Sequence, residues 1–428
     1  MICVFMAYPI SYLLGLIPGK TTKHLYSVLV GIWLGNYMVS YQWIHTLFGS
    51  TLCYLILLVL GPNGRFISAV AAMLHLECLH IYRQWTAYLS WTFDVTMQLM
   101  IVVQKLTTFG YNLYDGTKNP KPTPDQQKYA IKELPSYLEF LGWIYMPSNF
   151  SMGPTMEFNE YRDVVEGNYP KTNILPALKM LGIAVICLVI SQGGSIYFPI
   201  SLMKDEEFLK NNSALAIHFT ALIVAFIARF KYYFGFKVSE GAAVMAGLGY
   251  RKDEKTMKED WEGMSNMDIL RFETSYSFRD SSNAWNTKTS LWLRRLVYDR
   301  VRAPMNLYAV YALSAFWHGF YPGYYLFFFM IGLLTKVNRT IDQQLGPLFL
   351  AYGSTGKLLY KIFSWTLTLV SRDYFIMSFM LLSWEDCWRV YQSMGFWMHI
   401  LGIIAFAASM FIPEKRRPRK TVPEKKQE

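Results

Sequence analysis

One histidine, His318, lies in an otherwise apolar run from Met305 to Lys336 that is long enough to cross a bilayer. An ionisable side chain at that depth is costly to bury, so it is by default a candidate for function. The residues around it interrupt the aliphatic pattern. Trp317 and Gly319 flank the ring, and Tyr321, Pro322, Gly323, Tyr324 and Tyr325 follow. Gly319 and Gly323 let a backbone or a ligand come close, and Pro322 cannot donate to a carbonyl one turn back. A helix kinked beside His318, with a pocket at the kink, is therefore expected. The plainer alternative is a helix-packing histidine bonded to a neighbour's hydroxyl or carbonyl.

The segment Ser314-Ala315-Phe316-Trp317-His318-Gly319-Phe320-Tyr321-Pro322-Gly323-Tyr324 resembles the histidine helix of the membrane-bound O-acyltransferase superfamily, in detail its lysophospholipid acyltransferase branch. Upstream, Trp285-Asn286-Thr287-Lys288-Thr289 with Trp292-Leu293 is similar to the segment that carries that family's catalytic asparagine. Earlier still, Gly153-Pro154-Thr155-Met156-Glu157-Phe158-Asn159-Glu160-Tyr161 resembles a third family element, and Arg229 to Tyr233 a fourth. Asn283 lacks the preceding Trp, so the resemblance assigns the asparagine role to Asn286.

The resemblance implies a fold and an activity. The fold is a horseshoe or barrel-like helical bundle around a central cavity. The activity is transfer of a fatty acyl group from acyl-CoA, a co-substrate rather than a cofactor, to the free hydroxyl of a lysophospholipid. An acyl thioester is already activated, so the protein must chiefly deprotonate the alcohol and stabilise the oxyanion. His318 would take the proton and Asn286 would orient or polarise the thioester. Trp285, Lys288, Trp317, Tyr321 and Tyr324 are the expected substrate contacts beside that pair, with Lys231, Arg294 and Arg295 as cations for phosphate. The catalytic pair alone leaves open a protein, sterol or diacylglycerol acceptor, although the sterol and diacylglycerol branch's F-Y-x-D-W-W-N motif is missing. A scaffold or transporter with a degenerate site is the reading from a different class.

The elements that must position these residues are helical and membrane-embedded. Of 428 residues, 53% are hydrophobic and only 17% charged, with a mean hydropathy of +0.19, well beyond soluble usage. The aromatic share of 17% suits membrane interfaces and amphiphilic ligands. The expected fold is all-α and polytopic, with roughly ten embedded segments by the length rule. Residues 1–413 form the membrane domain and 414–428 a basic tail. Met1 to Pro18 reads as a retained membrane segment, since it has neither a basic start nor a small-residue cleavage site. Leu52 to Leu74 is broken by Gly61-Pro62-Asn63-Gly64-Arg65. Pro135 to Pro154, short and aromatic, is expected to dip into the interface. Arg251 to Asp280 is the most polar region and is expected in water or at the membrane surface. A basic amphipathic helix from Trp285 to Arg302 would lie on the membrane, where its arginines could hold anionic lipid or the phosphates of a substrate. A straight helix from Asn286 to His318 would hold the two about 48 Å apart, so the chain must reverse, and Pro304 is the natural turn.

Other chemistry finds no support. His75 and His80 are five apart with Glu77 between, which is not the spacing of a zinc helix, and no metal site is expected. Those side chains would instead face a water- or head-group-filled cavity. Gly241 to Gly249 lacks phosphate-loop spacing, and five scattered cysteines suggest no disulfide framework. The net charge of +11 is spread over loops and tail with no base-stacking motif, so no nucleic acid partner is expected. Glu414 to Lys420 places the carboxyl terminus in the cytosol, and the final Lys425-Lys426-Gln427-Glu428 resembles an endoplasmic reticulum retrieval signal. The expected partners are acyl-CoA, lysophospholipid and membrane lipids, and an oligomer remains open.

Overall fold

The computed structural model describes residues 2–90, 92–150, 152–168, 173–253 and 256–412. The basic tail and its terminal dilysine lie outside these residues. The chain is helical almost throughout. Its amino-terminal half runs through α1 (Ile2–Leu16), α2 (Lys20–Val39), α3 (Ile44–Leu60), α4 (Arg65–Thr86), α5 (Val95–Thr117), α6 (Pro124–Tyr129), α7 (Tyr137–Ile144), α8 (Phe158–Glu166) and α9 (Ile174–Tyr197). There follow α10 (Glu206–Asn211), the long α11 (Ala214–Met245), a small antiparallel hairpin pairing Arg251 with Asp260, and three short helices: α12 (Ile269–Glu273), α13 (Phe278–Ala284) and α14 (Thr287–Leu293). The carboxyl-terminal part holds α15 (Met305–His318), α16 (Pro322–Leu350), α17 (Gly353–Leu381), α18 (Trp384–Ser393) and α19 (Trp397–Met410).

Among the described residues, three stretches are long and apolar enough to cross a membrane: the broken run Lys20–Thr86, Ile174–Lys204 and Ala214–Met245. The helices α18 and α19 make a fourth if their 90° bend is counted within one span. Their outward faces are apolar, as on α9, where Leu178, Val185, Ile186, Val189 and Ile196 are exposed. In water such a face would be a liability. In hydrocarbon it matches its solvent.

Inside, the described residues form four apolar clusters, three of them large. One joins α3, α4, α5, α7 and α8 to Trp292 and Trp317. A second joins the first half of α11 to α16 through α19, and a third gathers α1, α9 and the second half of α11 around Phe272. Two segments are placed differently from expectation. Pro135 to Pro154 is core rather than interface, with Phe140, Trp143, Tyr145 and Phe150 fully buried, because Lys105 of α5 reaches in and donates to the carbonyls of Trp143 and Ile144. The polar region beginning at Arg251 exposes its hairpin but then turns inward, burying Met264, Asn266, Met267 and Phe272. Its charge is answered inside the bundle: Glu273 accepts from Arg229, Arg372 and Tyr233, while Asp373 takes the other end of Arg229. An ion network this deep is tolerated only when every member is paired.

Candidate active site

His318 is the last residue of α15, not a residue midway along a kinked helix. Gly319 follows with φ of 108°, a conformation closed to most side chains, and Pro322 opens α16 where its missing N–H costs nothing. A Cβ on Gly323 would collide with the carbonyl of Ser378, and its N–H donates to Leu382 at 2.8 Å. That close approach brings the end of α17 against the start of α16 and sets Phe379 beside the histidine. The imidazole packs among Trp317, Tyr324, Phe328 and Phe379, with ring centroids 4.7 to 5.5 Å away.

The hydrogen bond of that ring defines its chemistry. Nδ1 lies 2.6 Å from the carbonyl oxygen of Ser314, and a carbonyl can only accept. The proton is therefore on Nδ1, and Nε2 carries the lone pair. This is the tautomer a general base requires.

Asn286 is the N-cap of α14 and adopts the left-handed conformation, with φ of 44° and ψ of 54°. Its carboxamide oxygen accepts from the side chain of Asn266 at 3.0 Å. Asn283 is exposed. Trp285 is boxed by Tyr232, Tyr233, Phe236 and Phe272, so it anchors the motif against α11 and α12. Lys288 has its ammonium 3.9 Å from Glu160.

The helix that gathers these parts is α5, which the motif reading left unassigned. Gln104, fully buried, donates to Thr289 and accepts from Thr155. Thr107 accepts from the indole of Trp292 at 2.8 Å, and the Met100 carbonyl accepts from the indole of Trp317 at 3.0 Å. Elements from three sequence motifs thus hang from one helix, and Trp292 packs on Trp317 with centroids 5.6 Å apart. The only sequence signal for this role is a cluster of polar residues, Gln104, Lys105, Thr107 and Thr108, inside an apolar helix. Because its N–H is committed to Met100, Trp317 acts as a strut rather than a donor to substrate. Tyr321 is similarly engaged, its hydroxyl accepting from the Leu89 amide at 2.9 Å. Tyr324 stays with the histidine.

The basic residues part from expectation. The stretch after α14 forms a π-helical turn, Arg294–Tyr298, instead of one amphipathic helix. Arg295 binds Asp125 at 2.7 Å and Glu157 at 2.6 Å, Arg294 binds Asp125 and Asp299, and Arg300 binds Asp115. Arg295 and Arg300 line a cleft with Tyr111, Asn112 and Tyr129, where internal carboxylates already balance them. Burial would push the Asp125 carboxyl up, but Arg295, helped by Arg294 and Lys128, holds it below the usual range. Lys231 is exposed on α11, within two residues of Arg229 and Tyr233. Three members of the polar group on α4 are held by protein: His75 meets His45, His80 donates to the Trp317 carbonyl at 3.3 Å, and Arg83 clasps Asp94 and two backbone carbonyls, while buried Glu77 has no hydrogen-bond partner among the described residues.

The helical bundle thus holds a histidine of fixed tautomer in an aromatic pocket and an asparagine bonded to its own network. The sequence model of the MBOAT, membrane-bound O-acyltransferase, family matches residues 79–381, and the chain belongs to that family. It is 29% identical over 423 residues to lysophospholipid acyltransferase 6 of Drosophila melanogaster, covering 93% of this chain and 58% of that protein. It is also 29% identical over 418 residues to membrane-bound glycerophospholipid O-acyltransferase 2 of Gallus gallus, covering 92% and 80%. With the lysophospholipid acyltransferase of Schizosaccharomyces pombe it shares 26% over 435 residues, covering 95% and 84%.

Proposed function

We propose that this chain is a lysophospholipid acyltransferase that moves a fatty acyl group from acyl-CoA to the free hydroxyl of a lysophospholipid. The observation that carries the chemistry is the bond from His318 Nδ1–H to Ser314, which leaves Nε2 basic in a pocket walled by aromatic rings. The relatives' names supply the substrate class. Nε2 takes the proton of the lysolipid hydroxyl as its oxygen attacks the thioester carbonyl. The Asn286 amide donates to the oxyanion. As the carbon–sulfur bond breaks, the thiolate recovers the proton from Nε2, and phospholipid and free CoA leave. No acyl-enzyme is needed, because both substrates meet in one cavity. We assign the chain to the endoplasmic reticulum membrane, with the basic residues Lys415 to Lys420 that follow the last apolar helix on its cytosolic side.

The test is acyl transfer from oleoyl-CoA by membranes expressing the chain, across lysophospholipids of different head group. His318→Ala should lower the rate by at least about 100-fold, as loss of a general base does. Full activity in that variant would overturn the scheme, and product only with a sterol or protein acceptor would move the substrate assignment.

A further inference from the structure

Among the described residues, only one end of the Asn286 side-chain amide is bonded, and the identity of the other end follows from a backbone amide. Asn266, only 2% exposed, lies where the inward-turning segment passes the start of α14. Its carboxamide oxygen accepts from the N–H of Lys288 at 3.0 Å, and its main-chain oxygen accepts from the N–H of Thr287 at 2.8 Å. A backbone N–H can only donate, so the atom of Asn266 facing Lys288 is oxygen, and the opposite atom is its NH2 group. That group meets Asn286 at 3.0 Å. The atom of Asn286 facing Asn266 must therefore be oxygen, which leaves the NH2 group of Asn286 as its free end. The amide direction is fixed through two side chains by one donor that cannot reverse.

A second observation bears on the same residue. An asparagine at a helix N-cap ordinarily uses its oxygen to accept the N–H two or three positions on. Asn286 makes no such bond; Asn266 does so for it, taking the N–H groups of both Thr287 and Lys288. The cap is supplied from outside the helix, and the residue at the cap position is released for other work. Asn266 is itself fixed by Glu240, whose carboxylate accepts from the main-chain N–H of Asn266 at 2.7 Å and of Met267 at 3.0 Å, and is bound at its other oxygen by Lys237. Glu240 is fully buried on α11.

We propose that Asn266 is a positioning residue that caps α14 in place of Asn286 and so holds the Asn286 amide with its NH2 group toward the thioester. The donor needed as negative charge grows on the carbonyl oxygen is then preset, while the oxygen of Asn286, which would repel that charge, is turned away. This rests on the acyltransferase reading above.

Asn266→Asp separates the two duties. An aspartate still accepts from Lys288 and Thr287, and its charge suits a helix start, so the cap survives. It cannot donate to Asn286, whose amide would turn its NH2 group toward the carboxylate and its oxygen into the site. In the oleoyl-CoA assay with detergent-purified enzyme, Asn266→Asp should keep Tm within a few degrees and both KM values within about threefold. Its kcat should fall on the order of 100-fold, the effect of losing one oxyanion donor. A purely structural Asn266 predicts near wild-type kcat in this variant, and kcat within twofold of wild type would overturn the proposal. If Asn266→Asp does not fold, Asn266→Ala decides: kcat per folded molecule must fall with KM spared, and unchanged kcat overturns it. Wild-type enzyme inactive on every lysolipid would instead count against the acyltransferase reading, so the two failures are distinct.

Discussion

Ser314 stands one helical turn before His318, and its carbonyl draws the Nδ1 proton at 2.6 Å. The basicity of the opposite nitrogen thus depends on α15 keeping its helical form up to its last residue. Gly319 ends that helix, and a side chain there faces two obstacles. At φ of 108° an L-residue is strained by about 1–3 kcal/mol, and a Cβ would lie 3.2 Å from the His80 ring. His80 also holds the Trp317 carbonyl, so displacing it loosens the turn that carries His318. Gly319→Ala should therefore lower Tm and reduce kcat more than KM, and thermal denaturation with steady-state kinetics would check both.

At the scale of elements, α5 is the shared support. Gln104→Leu would leave the hydroxyls of Thr155 and Thr289 without their partner, at a cost of about 1–3 kcal/mol for an unsatisfied buried group. The variant should express with reduced Tm and a lower kcat, because α14 loses a link to the helix that also holds Trp292 and Trp317. The cleft beside it carries a pH signature. The Asp125 carboxyl is depressed below its ordinary value by Arg295 and Arg294, so its contribution to stability is complete above that ordinary value and disappears as pH falls through the lowered one. A Tm profile taken from neutral pH to below about 4, the ordinary carboxylate range, should steepen at the acid end, and Asp125→Asn should flatten that part while lowering Tm at neutral pH. His318 was legible in sequence because an ionisable ring is unusual at membrane depth, and Asn286 because the segment from Trp285 resembles the family's asparagine motif. The role of α5 was not, since Gln104 and Thr107 gain meaning only from partners more than fifty or a hundred residues away. For the same reason Arg251 to Asp280 read as a surface loop: the buried groups that accept its charge, Arg229 and Arg372, belong to other helices.

For the whole molecule, the distribution of apolar surface decides which environment each face meets. Val189 on α9 is 65% exposed and Leu270 on α12 is 79% exposed, so burial alone does not distinguish them. Their neighbourhoods do. Val189 belongs to a row of outward apolar side chains on a helix long enough to span a membrane, whereas Leu270 stands among charged residues next to Arg271 and Asp268. A lysine near the centre of a spanning helix costs about 2.5–3.5 kcal/mol, while a lysine at a water-exposed position changes stability by no more than about 0.5 kcal/mol. Val189→Lys should accordingly reduce the fraction of chain recovered in membranes after alkaline extraction and lower Tm in lipid nanodiscs. Leu270→Lys should leave both near wild type. Equal, mild effects of the two substitutions would mean that α9 does not face hydrocarbon, and the packing of α9 along α11 would then have to be covered from outside by another protein surface.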